Sequence, residues 1–170
     1  MTNQDWIDVI LIMIYTRYRI SEVLNIRKSD IDFINGVIKG GGKTSKGKNR
    51  IIPIMEKIRE LVIKRYDDSK TEYLIDNRNW KIKADKMNAK PLRENYFRNK
   101  FYEIMEQLGM NHKPQDTRKT LATLLSKEGM SESIITDLMG HTDIKVTEKY
   151  YIHNDIDTLK KAMKKINDIN

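Results

Sequence analysis

Apolar residues fall along this chain in three kinds of pattern, and each predicts a different element. "DWIDVILIMIY", residues 5 to 15, is apolar almost all round, which predicts a buried helix rather than one with a wet face. The chain then breaks at "TRYRIS", where Ser21 stands in position to cap a short helix over "EVLNI". From Asp30 the pattern changes to β-branched segments, "DIDFI", "GVIKG" and "NRIIPI", divided by "NG" and by "GGGKTSKGK". Asn35-Gly36 is a two-residue hairpin signal, so residues 31 to 54 read as a small antiparallel sheet.

Helical spacing returns after Pro53, with Ile58, Leu61, Val62 and Tyr66 on one stripe. "DNRNWKIKADKMNAKP", residues 76 to 91, is irregular and basic, and reads as a loop or short hairpin. A further helix gathers Leu92, Phe97, Phe101, Met105 and Leu108 near one face and stops at Gly109. Three more are expected: 117 to 128 ended by Gly129, 132 to 139 capped by Ser131, and 144 to 151 begun near Thr142-Asp143. In the tail, Ile156, Leu159, Met163 and Ile166 form one narrow stripe with lysines opposite, a helix that docks either on its own domain or on a neighbouring subunit.

Composition narrows the chemistry. The 170 residues suit one domain with one core, and the absence of cysteine excludes a disulfide framework, thiol catalysis and cysteine-ligated zinc. His112, His141 and His153 are too scattered to suggest a metal cage. No apolar run approaches bilayer length, and "MTNQDWIDV" has acids and no basic leader, so the expectation is a soluble, cytoplasmic protein. Thirty-two Lys and Arg against twenty-four Asp and Glu give a net charge of +8, which favours a polyanionic partner if the excess lies on one surface.

That excess is locally strongest between Lys39 and Arg50, where Lys39, Lys43, Lys46, Lys48 and Arg50 occur with no acid among them and glycines at 40, 41, 42 and 47 allow close backbone approach. A lysine-tipped β-ribbon can track phosphates; it can equally be a solvated loop. Arg118 falls in the first turn of "TRKTLATLLSK", after Asp116 as the expected cap, where a helix N-terminus and a guanidinium both favour an anion; the bland reading pairs it with Asp116 or another surface acid. Arg19 sits in the break between two helices, held by scaffold without belonging to a helix face.

Four stretches taken together change the odds. "YTRYRISEVLNIRKSDIDF" at 15 to 33, "GKTSKGKNRIIPI" at 42 to 54, "KPQDTRKTLATLL" at 113 to 125 and "LMGHTDIKVTEKYY" at 138 to 151 resemble, in order and nearly in spacing, the catalytic domain of tyrosine recombinases, particularly phage and conjugative-transposon integrases. The resemblance covers almost the whole chain. It implies an α+β fold, mainly helical with a small three-stranded antiparallel sheet, over residues 1 to 154, with 155 to 170 as a tail suited to subunit exchange. It further implies a piece of a longer integrase whose N-terminal DNA-binding domains precede this one, acting on double-stranded attachment sites as a tetramer in a bacterial cell.

Carried over by position, the resemblance assigns the first catalytic arginine to Arg19 with Glu22 as its supporting acid, and the sheet lysine to Lys43 with Lys46 as the alternative. It assigns the second arginine to Arg118, the histidine to His141 and the nucleophile to Tyr150, nine residues after that histidine, with Tyr151 as an adjacent rival. Lys39, Lys46, Lys48 and Arg50 then become DNA contacts, and no metal or nucleotide cofactor is required. Two positions depart from the family pattern. Arg17 stands where a turn glycine is usual, which either distorts the loop or places a second cation near DNA; Gln115 replaces a histidine, and an amide cannot exchange a proton near neutral pH. The competing reading is a non-catalytic DNA-binding module, with "LLSKEGMSESIITDLMG" as a helix-turn-helix and Gln115 as the mark of lost chemistry.

Overall fold

The computed structural model describes residues 1–39, 51–76, 90–127, 129, 131–133 and 135. Helix α1 (Asn3–Thr16) is followed by the short α2 (Ile20–Leu24) and a 3₁₀ turn (Lys28–Asp30). Strands β1 (Ile31–Asp32), β2 (Val37–Lys39) and β3 (Ile51–Pro53) come next, then helices α3 (Glu56–Asp68), α4 (Glu94–Gln107) and α5 (Asp116–Lys127). The strands form one antiparallel sheet in the order β1-β2-β3, with Ile38 opposite both Ile31 and Ile52.

Helix α1 is the centre of the packing. It touches α3, α4 and α5, and Trp6, Val9, Ile10, Ile12 and Met13 are all buried, as a helix apolar all round requires. Each such large apolar side chain contributes about 1.5–3 kcal/mol on burial. Thr2 starts the helix: its hydroxyl accepts from the Asp5 N–H while the Asp5 carboxylate accepts from the Thr2 N–H, satisfying two donors that the first turn leaves over. Trp6 then meets the edges of Tyr96 and Phe97 on α4 at ring separations of 5.6 and 6.0 Å.

Asp5 also belongs to a polar bracket between α1 and α3. Arg65 is buried on α3 and its guanidinium pairs with Asp5, with Asp8 at 3.5 Å and with Asp68 at 3.8 Å, while Lys64 reaches Asp8 at 3.2 Å. Burial pushes the Asp5 carboxyl up, but hydrogen bonds from Thr2 and the Arg65 guanidinium outweigh it and hold the group below the usual carboxylate range. One carboxylate thus caps α1 and ties it to α3.

Several local expectations are corrected. The β1 to β2 connection is not a two-residue turn: residues 33 to 36 form a longer loop, because Asp32 accepts from both the backbone and the side-chain N–H of Asn35, and only Gly36 takes a positive φ, 62°. Ser21 does not cap α2. The cap is Arg19, whose N–H donates to the Glu22 carboxylate at 2.7 Å. Asp116 lies inside the first turn of α5 instead of before it, and its carboxylate reaches back to the Lys113 N–H at 2.8 Å. Leu108 is exposed rather than on the core face, since α4 ends at Gln107 and the chain turns away through Gly109 at φ 65°. That stop itself occurs as expected, with Gly109 N–H donating to Glu106 and Met110 N–H to Met105 at the helix end.

Of the expected helix over 132 to 139, only its start is described, with Ile135 N–H donating to the Ser131 carbonyl. The helix expected over 144 to 151, the terminal stripe and nearly all of the basic segment from 76 to 91 lie outside the described residues.

Candidate active site

Arg19 and Arg118 are far apart in sequence, and the fold brings them to the same carboxylate. Arg19 caps α2 with extended backbone, φ −71° and ψ 164°, so its side chain leaves the helix axis at the loop. Glu22 is three residues on, buried, and accepts from the Arg19 backbone N–H. Its Oε1 lies 3.6 Å from Nη1 of Arg19, and its Oε2 lies 3.7 Å from Nη1 of Arg118 in the first turn of α5. The Arg19 side chain is 67% exposed and that of Arg118 16%, so one guanidinium faces solvent and the other lines the wall behind it.

Two cations held on either side of one buried acid suit an anionic ligand. Each guanidinium presents several N–H donors, and the Glu22 carboxylate, 3.6 and 3.7 Å from the two, offsets their mutual repulsion. Arg118 approaches Glu22, a buried acid, whereas the bland sequence reading gave Asp116 or another surface acid as its partner.

Behind these groups, Arg17 ends α1 in the left-handed region at φ 54° and ψ 25°, a conformation that costs an ordinary residue about 1–2 kcal/mol. The turn that a glycine would make is thus kept. Arg17 is only 2% exposed, and its Nε donates to the carbonyl of Arg118 at 2.9 Å, so its side chain points into the protein and is not a second cation on a DNA-facing surface. Nη1 of Arg118 in turn donates to the carbonyl of Arg17 at 2.6 Å. A large residue in a turn-glycine position must strain the backbone or find an internal partner, and Arg17 does both.

Gln115 is exposed directly before α5, and its carbonyl accepts from the Arg118 N–H at 3.3 Å. It therefore stands at the same helix start as Arg118. Lys39 closes β2 and its ammonium meets Asp32 at 3.0 Å; hydrogen bonds from Asn35 and then from Lys39 hold the Asp32 carboxyl below the usual carboxylate range. Lys43, Lys46, Lys48, Arg50, His141 and Tyr150 lie outside the described residues. Among the described residues, no group of three or more His, Cys, Asp or Glu is arranged to hold a metal ion, and no helix is long and apolar enough to cross a membrane.

Comparison with known proteins identifies the setting of this geometry. Residues 7–157 match the phage integrase family. The chain is 30% identical over 164 residues to the tyrosine recombinase XerA of Thermococcus kodakarensis, covering 92% of this chain and 54% of that protein. It is 31% identical over 154 residues to a probable integrase/recombinase of Acholeplasma phage L2, covering 88% and 49% respectively. Among solved structures, the integrase from mycobacterium phage Brujita superposes with a TM-score of 0.73 at 16% identity, over 100% of this chain and 54% of that one. The Tn1549 transposon integrase, solved in complex with circular intermediate DNA, gives 0.66 at 23% identity, over 94% and 57%. These structural likenesses establish the fold, and the chain spans about half the length of each of these proteins.

Proposed function

Since the chain belongs to the phage integrase family, we propose that it is the catalytic domain of a site-specific DNA recombinase that cuts and rejoins strands through a covalent 3′-phosphotyrosyl intermediate. The observation that carries this reading is the convergence of Arg19 and Arg118 on Glu22. A plain helix-turn-helix module has no reason to gather two arginines from opposite parts of the chain around one buried acid.

In the reaction, Tyr150 Oη attacks the scissile phosphorus, the bond from phosphorus to the 5′ oxygen breaks, and the new phosphotyrosyl bond preserves the energy for rejoining. Arg19 and Arg118 neutralise the non-bridging oxygens as charge builds on the pentacoordinate phosphorus, a task for which fixed donors serve well because they need no reorganisation. Lys43, or Lys46 in its place, donates a proton to the leaving 5′ oxygen, and His141 hydrogen-bonds the phosphate. A tyrosine hydroxyl has a pKa near 10, so the surrounding cations also favour the attacking phenolate. Gln115 positions a phosphate oxygen or water and takes no proton; the Tyr150 proton leaves by another route.

The substrate is double-stranded DNA at a pair of attachment sites, contacted by Lys39, Lys46, Lys48 and Arg50, and the working assembly is a tetramer to which the 155 to 170 tail of one subunit contributes by docking on its neighbour. Support for a DNA partner comes from the DNA-bound Tn1549 integrase among the structural neighbours and from the net charge of +8. Incubation with a nicked suicide site, carried out in the context of the full-length protein, tests the reading. The wild-type chain is expected to accumulate a covalent adduct on the 3′ phosphate and Tyr150→Phe to give none; an adduct that persists in Tyr150→Phe removes that residue as nucleophile, and no adduct from the wild type on its cognate site favours the non-catalytic module.

A further inference from the structure

Residues 17 and 118 exchange hydrogen bonds reciprocally, each offering its side chain to the other's backbone. Arg17 Nε donates to the Arg118 carbonyl at 2.9 Å, and Arg118 Nη1 donates to the Arg17 carbonyl at 2.6 Å. The second bond needs only a backbone carbonyl and is open to any residue at position 17. The first needs a long side chain with a donor, and it is made by a residue that holds left-handed backbone and is 2% exposed. A strained backbone and a buried cation at one position indicate that its side chain serves the interior.

We propose that Arg17 is a positioning residue for Arg118: it clamps the first turn of α5 onto the loop that carries Arg19, and so sets where the Arg118 guanidinium meets the scissile phosphate. This rests on the recombinase reading given above. Glu22 also links the loop and α5, and its 3.7 Å approach to Arg118 allows more movement than two hydrogen bonds in opposite directions do. Small displacement of a charge aimed at a transition state has a large effect on rate, roughly a hundredfold for about 1 Å.

The test is single-turnover adduct formation on the suicide site by the full-length protein and by its Arg17→Gly and Arg17→Lys variants. Glycine adopts left-handed backbone without strain, so Arg17→Gly is expected to fold. It should bind DNA as the wild type does and form adduct roughly tenfold to a hundredfold more slowly, while Arg17→Lys, which keeps a donor, recovers part of the loss. If Arg17→Gly fails to fold, Arg17→Lys carries the comparison with an intermediate loss. A role through Arg118 also predicts that the penalty shrinks several-fold when one diastereomer of a methylphosphonate replaces the scissile phosphate, because that substrate has less charge for Arg118 to meet. A wild-type rate in the variants, or an equal penalty on the phosphate and both methylphosphonate diastereomers, overturns the inference while leaving the recombinase reading intact. Absence of any wild-type adduct overturns both.

Discussion

Glu22 is the residue on which the described half of the site turns. It accepts from the N–H of Arg19, the cap of α2, lies between two arginines and is buried, so replacing it disturbs the helix start and removes the charge that lets Arg19 and Arg118 stand close together. Glu22→Gln keeps the shape and an acceptor for the Arg19 N–H but not the charge. It is expected to lower stability in urea melts by about 1–3 kcal/mol, because water screens the exposed Arg19 but not the largely buried Arg118, and to slow adduct formation about tenfold by letting the arginines separate. Unchanged cleavage would show that the two cations hold their places without it. Gln115 makes a second prediction at this scale. Gln115→His is expected to leave adduct formation intact or raise it, and a large loss would show that the glutamine amide has its own role. The sequence grouped Arg19, Glu22 and Arg118 through their motifs, and what the fold adds is that the three side chains meet. The inward course of Arg17 was not, since it depends on a carbonyl 101 residues further along the chain.

At the level of elements, the bracket between α1 and α3 gives stability a pH dependence with a definite sign. The Asp5 carboxyl is held below its ordinary value of 3.8, so its contribution is complete above about that pH and is lost as pH falls toward the lower folded value. Urea melts below pH 4 should therefore show wild-type stability falling more steeply than that of Asp5→Asn; parallel slopes would mean that the carboxylate gains nothing from its setting. Arg65→Met should cost about 3 kcal/mol at neutral pH, because it leaves buried Asp5 without its main cation and Asp8 with Lys64 alone. Element types were readable from the periodicity: the all-round apolar helix, the three β-branched segments and the glycine stops all fall where the pattern put them. Caps and turns were misplaced by a few residues. At Ser21, Asp116 and Asn35, the competition between nearby side chains for backbone N–H groups decides the boundary, and spacing alone does not record it.

Across the whole molecule, the question is how charge and assembly use the site. Duplex DNA binding by the chain is expected to weaken steeply with salt, and a Lys46, Lys48 and Arg50 triple alanine variant should lower the slope of log affinity against log salt by about 0.9 for each phosphate that the variant no longer neutralises. An unchanged slope would place the DNA elsewhere. The mainly helical α+β fold with its three-stranded antiparallel sheet was legible from the order of four motifs, and the integrase structures share it. The central claim is that one tyrosine of an adjacent pair becomes bonded to DNA. Trypsin releases both in one peptide, residues 150 to 160, so nuclease and trypsin digestion of the wild-type adduct, followed by fragmentation mass spectrometry, reads the bonded residue directly. The expected result is a nucleotide phosphate on Tyr150; a nucleotide on Tyr151, or on any residue outside this peptide, would contradict the account.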